Sequence, residues 1–334
     1  MAVKAKAPER VVATVLPPIK WDKEMTNSAR STFLACRKKF EWQYLRRLSP
    51  RAPSVPFLVG GLVHNGLERM YVEKDFDEAA ERETAAAACE KVSMEASLTP
   101  DQSDKLWQQQ AMVIGILRGY AKHHLEEDLK KWEVVGAETS FVHPLPVAGW
   151  KYRGKRDMVV RLKKNGKIGL VEHKTAGRLD ANYIAKLPLD SQILGYAKSM
   201  ELEKKPLGKL PDFIVYNVIK KSQLRQGAKE TFDAFRKRIE DEYVHNPSVY
   251  FYREVLSFSE RDVRRFEEER ARFTVEMQRA IDDQYFYMNT QHCTAMGVCP
   301  YMRLCIEGPN KSNLVHYKVR ASVHPELDEQ EEIA

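Results

Sequence analysis

Long apolar runs are missing from this chain. The longest, AMVIGIL from Ala111, falls far short of the ~20 residues that cross a bilayer. The opening MAVKAKAPERVV contains no apolar block of the kind that marks a secretory signal. A cytoplasmic location and no membrane partner are therefore expected. No G-x-x-x-x-G-K-[ST] run occurs, which excludes a recognisable P-loop motor, and no internal repeat is found. Cysteine is scarce. The five present, Cys36, Cys89, Cys293, Cys299 and Cys305, are an odd set with three bunched near one end. In a reducing compartment metal or cluster ligation therefore outranks disulfides. Acidic residues are outnumbered, 47 against 54 Lys and Arg, and the net charge of +7 with a pI of about 9.0 suits a polyanionic partner.

What is present describes an α/β chain: one domain at 24–320 between an extended or disordered segment at 1–23 and an acidic tail at 321–334. Asn27 or Ser28 caps a helix running to about Leu48, with Phe33, Cys36, Phe40, Tyr44 and Leu48 at core spacing, ended by the Pro-rich SPRAPSVP. Gly60-Gly61 opens a second helix carrying His64 and Glu68. Further helices are predicted at about 77–95, with Cys89 as a small core residue, and at 102–130. A strand near 133–142 precedes a hairpin. Then come a helix from about Asp190 to Glu201, a strand in DFIVYNVIKK, a helix at 229–244, a strand in YFYREVLSF and a helix from Ser259 to about Asp282 with a capping box at Ser259 and Asp262. That order predicts a central mixed β-sheet with helices on both faces.

The hairpin, Asp157 to Lys174, carries the chemistry. Taking Asn165-Gly166 as a two-residue type I′ loop pairs residues whose numbers sum to 331, so Lys174 lies opposite Asp157 and Glu172 opposite Val159. Alternation puts Asp157, Val159, Arg161, Leu170, Glu172 and Lys174 on one face and Met158, Val160, Leu162, Val171 and His173 on the other. Diagonal neighbours across strands lie roughly 7–8 Å apart, so Asp157 and Glu172 are within reach of one another. Two carboxylates left together in an apolar hairpin repel and resist desolvation. A divalent cation removes that objection, and a lysine beside it holds a water or a phosphate oxygen. The plain alternative is a surface ion pair on an ordinary hairpin.

With G-x-x-H at Gly61–His64, G-x-x-D at Gly154–Asp157, E-x-K at Glu172–Lys174 and Q-x-x-x-Y at Gln192–Tyr196, in that order, the chain resembles the RecB-type branch of the PD-(D/E)XK nucleases over about residues 28–305. The resemblance implies a restriction-endonuclease-like core and a metal-dependent phosphodiesterase acting on DNA. It makes Asp157 and Glu172 the ligands of Mg²⁺ or Mn²⁺, Lys174 the catalytic lysine, His64 a further ligand favouring Mn²⁺, and Gln192 and Tyr196 residues near the DNA. Chemistry agrees position by position: phosphodiester cleavage needs an activated water, charge relief at phosphorus and help for the leaving oxygen, which carboxylate-bound cations supply. Glu138, in the strand before the hairpin, is a candidate outer carboxylate.

Cys36, Cys293, Cys299 and Cys305 match the ligand count of a [4Fe–4S] cluster. The resemblance strengthens this, because iron–sulfur members of the branch, AddB-like and CRISPR-associated nucleases among them, place one cysteine before the nuclease motifs and three after. Here the first two late cysteines are further apart than is common there, which leaves room for His292 in place of Cys293. Structural zinc on three Cys and a His is the rival. Either ion clips the early helix to the chain end, closing a loop of more than 250 residues whose entropy cost grows only logarithmically. The basic and aromatic stretches RKKFEWQYLRR and CPYMRLC suit phosphates and unpaired bases, or a solvated helix face with its rings packed inward.

The expected protein is thus a DNA exonuclease working on ends or single strands in recombination, repair or phage DNA processing, in a bacterial or phage-infected cell. Lacking a motor of its own, it would work beside a separate helicase or recombination protein. The alternatives are a DNA-binding or assembly factor of the same fold with little cleavage activity, and a redox sensor built on the cysteines.

Overall fold

Runs of Val, Ile, Tyr and Phe form the strands of this chain, and the stretches rich in Ala, Leu and Glu between them form the helices. The structure is a computed structural model that describes residues 15–51, 55–95, 98–203, 208–295, 297–324 and 327. Its strands are β1 (Glu24–Met25), β2 (Leu48–Pro50), β3 (Trp132–Pro144), β4 (Lys151–Leu162), β5 (Ile168–Ala176), β6 (Phe213–Lys220), β7 (Phe251–Leu256) and β8 (Tyr317–Val319). Its helices are α1 (Asn27–Ala35), α2 (Arg37–Phe40), α3 (Val55–Glu73), α4 (Glu78–Glu95), α5 (Pro100–Tyr120), α6 (Glu126–Lys131), α7 (Ala181–Lys186), α8 (Ser191–Leu202), α9 (Phe232–His245), α10 (Pro247–Tyr250), α11 (Glu260–Asp282), α12 (Met302–Glu307) and α13 (Lys311–Leu314).

The span read from the sequence as one domain divides into two compact units, each built from separated segments. The first comprises Met1–Arg51, Pro144–Arg153 and Arg270–Ala334, and the second Ala52–His143 and Gly154–Glu269.

The second unit holds the mixed sheet, in the order β3-β4-β5-β6-β7. Strands β4 and β5 are antiparallel, β5 and β6 parallel, β6 and β7 antiparallel. One face buries Met158, Val160, Val171, Val215 and Ile219 against Val63 and Leu67 of α3, Ile114 and Leu117 of α5, and Ile239 and Tyr243 of α9. Helices α5 and α9 touch backbone to backbone because Gly119 has no side chain: a Cβ there would lie 2.6 Å from the Tyr243 carbonyl oxygen. On the opposite face α8 brings Leu194 against Val263 and Phe266 of α11. The predicted mixed sheet with helices on both faces is present.

Two local expectations are corrected. The hairpin closes through four residues, 163–166, with Gly166 at φ 70° and the Asn165 side chain accepting from Lys167 N at 3.2 Å. The register therefore sums to 329, Met158 facing Val171 and Val159 facing Leu170. A shift of two leaves every side chain on its face, and the same register sets Asp157 directly across from Glu172. The helix expected from Asn27 to Leu48 is broken: α1 is capped by Thr26, whose hydroxyl accepts from Ala29 N, and Cys36 is extended at φ −163° before the chain coils again. Residues 15–23, within the segment read as extended or disordered, lack helix and strand and make specific contacts. Lys20 N donates to Leu45 O, and the Trp21 ring packs on Phe40 and Trp150. Residues 1–14 and most of the acidic tail lie outside the described residues.

The first unit has one apolar cluster of Trp42, Leu48, Tyr301, Leu304, Leu314 and Tyr317 and further buried rings at Phe33, Phe40, Tyr44 and Phe273 that pack on one another. There β2 pairs antiparallel with β8, and the start of β4 pairs in parallel with β1, Glu24 against Lys151.

Candidate active site and cysteine cavity

Strand alternation and one bulge build the site of the second unit. Asp157 and Glu172 project from facing positions on β4 and β5, and Lys174 follows one alternation later. Asp157 Oδ2 accepts from His173 N at 2.7 Å, and Lys174 Nζ donates to Glu172 Oε1 and, at 2.9 Å, to Gln192 Oε1. Glu138 arrives on β3 by a backbone irregularity. Its φ is 47°, a left-handed value that costs a side-chain-bearing residue energy and is found where function or packing demands it. Trp132 and Glu138 are buried before that point and Phe141 and His143 after it, so the parity of burial switches at the irregularity.

His64, on α3, faces both acids: its Nδ1 is 3.5 Å from Asp157 Oδ1 and 3.9 Å from Glu138 Oε1. Among the described residues, His64, Glu138 and Asp157 are the one group of three or more His, Cys, Asp or Glu whose ligand atoms all fall within 4.8 Å of one another. Glu172 is beside this group rather than in it. Its Oε2 is buried without a hydrogen-bond partner, an uncommon state for a carboxylate that is 1% exposed. Lys155 Nζ is 2.6 Å from Glu138 Oε2.

The protonation states follow from burial and neighbours. Burial and then the Asp157 charge push the Glu172 carboxyl up to about 8 despite Lys174. Burial acts to raise Asp157 as well, but facing His64 and Lys174 holds it well below the usual carboxylate range. Burial works against a charged His64, yet Asp157 and Glu138 outweigh it and lift the imidazole to about 10. In the same way Glu172 and Asp157 overcome burial to keep the Lys174 ammonium well above its ordinary value. The result is an acid cluster already neutralised by protons and cations, the condition a bound metal would replace.

Gln192 and Tyr196 do share a face of α8, and Gln192 Nε2 donates to Tyr196 Oη at 2.6 Å. Tyr196 is 6% exposed, with Phe141 edge-on against it at 5.6 Å. Three neighbours escaped the sequence reading. Asp190, read only as a helix start, caps α8 and takes a hydrogen bond from Tyr216 Oη at 2.5 Å. Tyr216 is the β6 partner of Glu172, a parallel register that no local pattern announces. Lys155 could have been found, since it lies two residues from Asp157 on the same strand face.

Beneath the site lies a buried polar network. His173 Nδ1 meets Asn217 Nδ2 at 2.8 Å, Asn217 donates to Tyr120 Oη at 3.2 Å, and Tyr71 donates to Asp128 at 2.6 Å. Arg253 grips Asp128 with two bonds of 2.7 and 2.6 Å. Burial pushes His173 down to about 3, so the ring is neutral.

In the first unit, Cys36, Cys293, Cys299 and Cys305 line one cavity of about 180 Å³ together with His292. Asn289 N donates to Cys36 Sγ and Trp42 Nε1 to Cys305 Sγ, each at 3.4 Å. Cys89 is elsewhere, buried in the helical core as expected.

A family model described as "PD-(D/E)XK nuclease superfamily" matches residues 24–306. No curated protein matches the chain. Among solved structures, one described as "Crystal structure of SSO0001" aligns over 87% of this chain and 90% of its own at 11% identity, with a TM-score of 0.31. That score is too low to bear on fold or function.

Proposed function

Because the chain belongs to the PD-(D/E)XK nuclease superfamily, we propose that its second unit is the catalytic body of a metal-dependent deoxyribonuclease, an exonuclease that works on DNA ends or single strands. The observation that carries this reading is the buried pair Asp157 and Glu172, one oxygen of which has no partner, next to the tight group of His64, Glu138 and Asp157. These oxygen-rich donors with one imidazole fit Mg²⁺ or Mn²⁺, and the imidazole shifts the preference toward Mn²⁺. A cation held by His64, Asp157 and Glu172, with Glu138 as a further carboxylate, supplies Lewis acidity and lowers the pKa of a bound water.

The side chains do the rest. Lys174 presents an ammonium held in place from two sides, by Glu172 and by Gln192, ready for a phosphate oxygen. Gln192, tied in turn to Tyr196, aims that lysine; Tyr196 is too buried to stack on a base and anchors Gln192. Lys155 balances the charge of Glu138.

The four cysteines of the first unit are read as ligands of a structural [4Fe–4S] cluster. Two N–H groups already point at sulfur, as thiolate ligands accept them. Among the described residues no three of these side chains bring their ligand atoms within 4.8 Å of one another, so the reading rests on the four cysteines sharing one cavity.

The test is cleavage of end-labelled single and double strands with Mn²⁺, comparing the wild type with Asp157→Ala. Loss of cleavage by at least a hundred-fold in the variant is expected. Cleavage that persists in Asp157→Ala rejects the site, and binding without turnover by the wild type turns the reading to an assembly factor.

A further inference from the structure

We propose that the extended segment Tyr285–Met288 and the cations beside it form a binding surface for single-stranded DNA on the first unit. The inference rests on the nuclease reading for the identity of the polymer. Everything else comes from the surface.

Helix α11 stops at Asp282, and Gln284, at φ 49°, turns the chain into an extended run. There Phe286 is buried, while Tyr285 is 69%, Tyr287 49% and Met288 52% exposed. Three large apolar side chains facing water within four residues make a patch rather than scattered exposure. Tyr287 and Met288 stand between two clefts. One, of about 440 Å³, is lined by Phe33, Arg37 and Phe273; the other, of about 560 Å³, by Lys38, Trp42, Arg46 and Tyr285.

Charge selects the occupant. Among the described residues the first unit carries 18 Lys and Arg against seven Asp and Glu, while the second carries 31 against 34. The basic excess of the whole chain therefore belongs to the first unit. Several of these cations stand at the rings. The Arg37 guanidinium lies 4.7 Å from the Tyr287 ring and 4.7 Å from Phe33 and is paired at 3.1 Å with the exposed Glu276, and Lys38 Nζ lies 4.6 Å over Trp42. Lys38 and Arg46 share the one carboxylate of Glu41, so that cluster keeps a net positive charge. Cations along a backbone path with exposed rings between them are what an unpaired strand binds: the cations take the phosphates and the rings stack on bases. A duplex keeps its bases stacked on each other and offers the rings nothing.

The experiment measures binding of a labelled oligothymidylate by anisotropy in the Asp157→Ala background, so that turnover plays no part. Replacing Tyr285 and Tyr287 together by Ala is expected to weaken binding at least about ten-fold, whereas Phe at both positions keeps it within about two-fold. Arg37→Gln with Lys38→Gln is expected to flatten the dependence of affinity on salt. Binding by the double Ala variant within about two-fold of its parent overturns the proposal, as does equal affinity for duplex. Should the Ala pair disturb folding, photocrosslinking a bromodeoxyuridine strand to the wild type decides: adducts at 285–288 support the surface, and adducts confined to the second unit overturn it. The two readings fail separately. Cleavage that depends on Asp157 with binding indifferent to the tyrosines removes only this surface, and tyrosine-dependent binding without any cleavage removes only the catalytic assignment.

Discussion

Glu172 is costly where it stands. The carboxylate is buried beside Asp157 and one of its oxygens is unpartnered, so the folded state prefers it protonated, with a value of about 8 against 4.5 for the free group. Between those two values the folded chain holds a proton that the unfolded chain has released, so metal-free stability falls as pH rises from about 4.5 to 8. Glu172→Gln removes that slope. The variant is expected to be more stable than the wild type at pH 8 in a chelator, on the order of a few kcal/mol by denaturant midpoint, while losing cleavage. Equal pH dependence in both proteins contradicts this account. Asp157, Glu172 and Lys174 were legible in the sequence because strand parity survives an even register error, whereas Glu138 reaches the site through a backbone bulge that no composition announces.

At the scale of elements, two contacts hold the site's platform. Helices α5 and α9 meet at Gly119, and a methyl group there collides with the Tyr243 backbone, which cannot move aside as a flexible side chain would. Gly119→Ala is expected to cost roughly 1–3 kcal/mol in urea unfolding. The control is Gly61→Ala in α3, where a Cβ meets nothing within 4 Å; it is expected to be neutral or stabilising by up to about 1 kcal/mol. Under the sheet, Asp128 is 2% exposed and takes both bonds of Arg253. Asp128→Asn strands that guanidinium and is expected to cost about 3 kcal/mol, and pairing Asp128→Leu with Arg253→Met is expected to cost less than the single change. A double variant as unstable as the sum of its parts counts against this. The capping box of Ser259 and Asp262 and most strands were readable from pattern, since both depend on residues close in sequence. The break at Cys36 was not. Phe33, Phe40 and Tyr44 keep a helical spacing across it, and the packing of the late segment around Cys36 decides the local backbone.

For the whole molecule the cysteines make the sharpest forecast. Protein purified anaerobically is expected to be brown, with iron and sulfide near four per chain. Cys36→Ala is expected to bleach it and to lower the melting temperature of the first unit, since the binding free energy of a structural cluster adds to that of folding. A colourless sample bearing zinc refutes the cluster. The charge distribution belongs to this scale too: net charge is a sum over the chain, and only the folding of three separated segments into one unit reveals where the excess collects.

Periodicity and residue type were enough to specify a mixed sheet and the acid pair with its lysine, because each is written in short-range spacing, and the scarcity of cysteine was enough to single out the four-cysteine set. Which carboxylate joins His64, which face of Gln192 meets Lys174, and which rings face water next to the cations depend on contacts between residues far apart in the chain. Those contacts are set by packing and register, which a one-dimensional pattern does not encode.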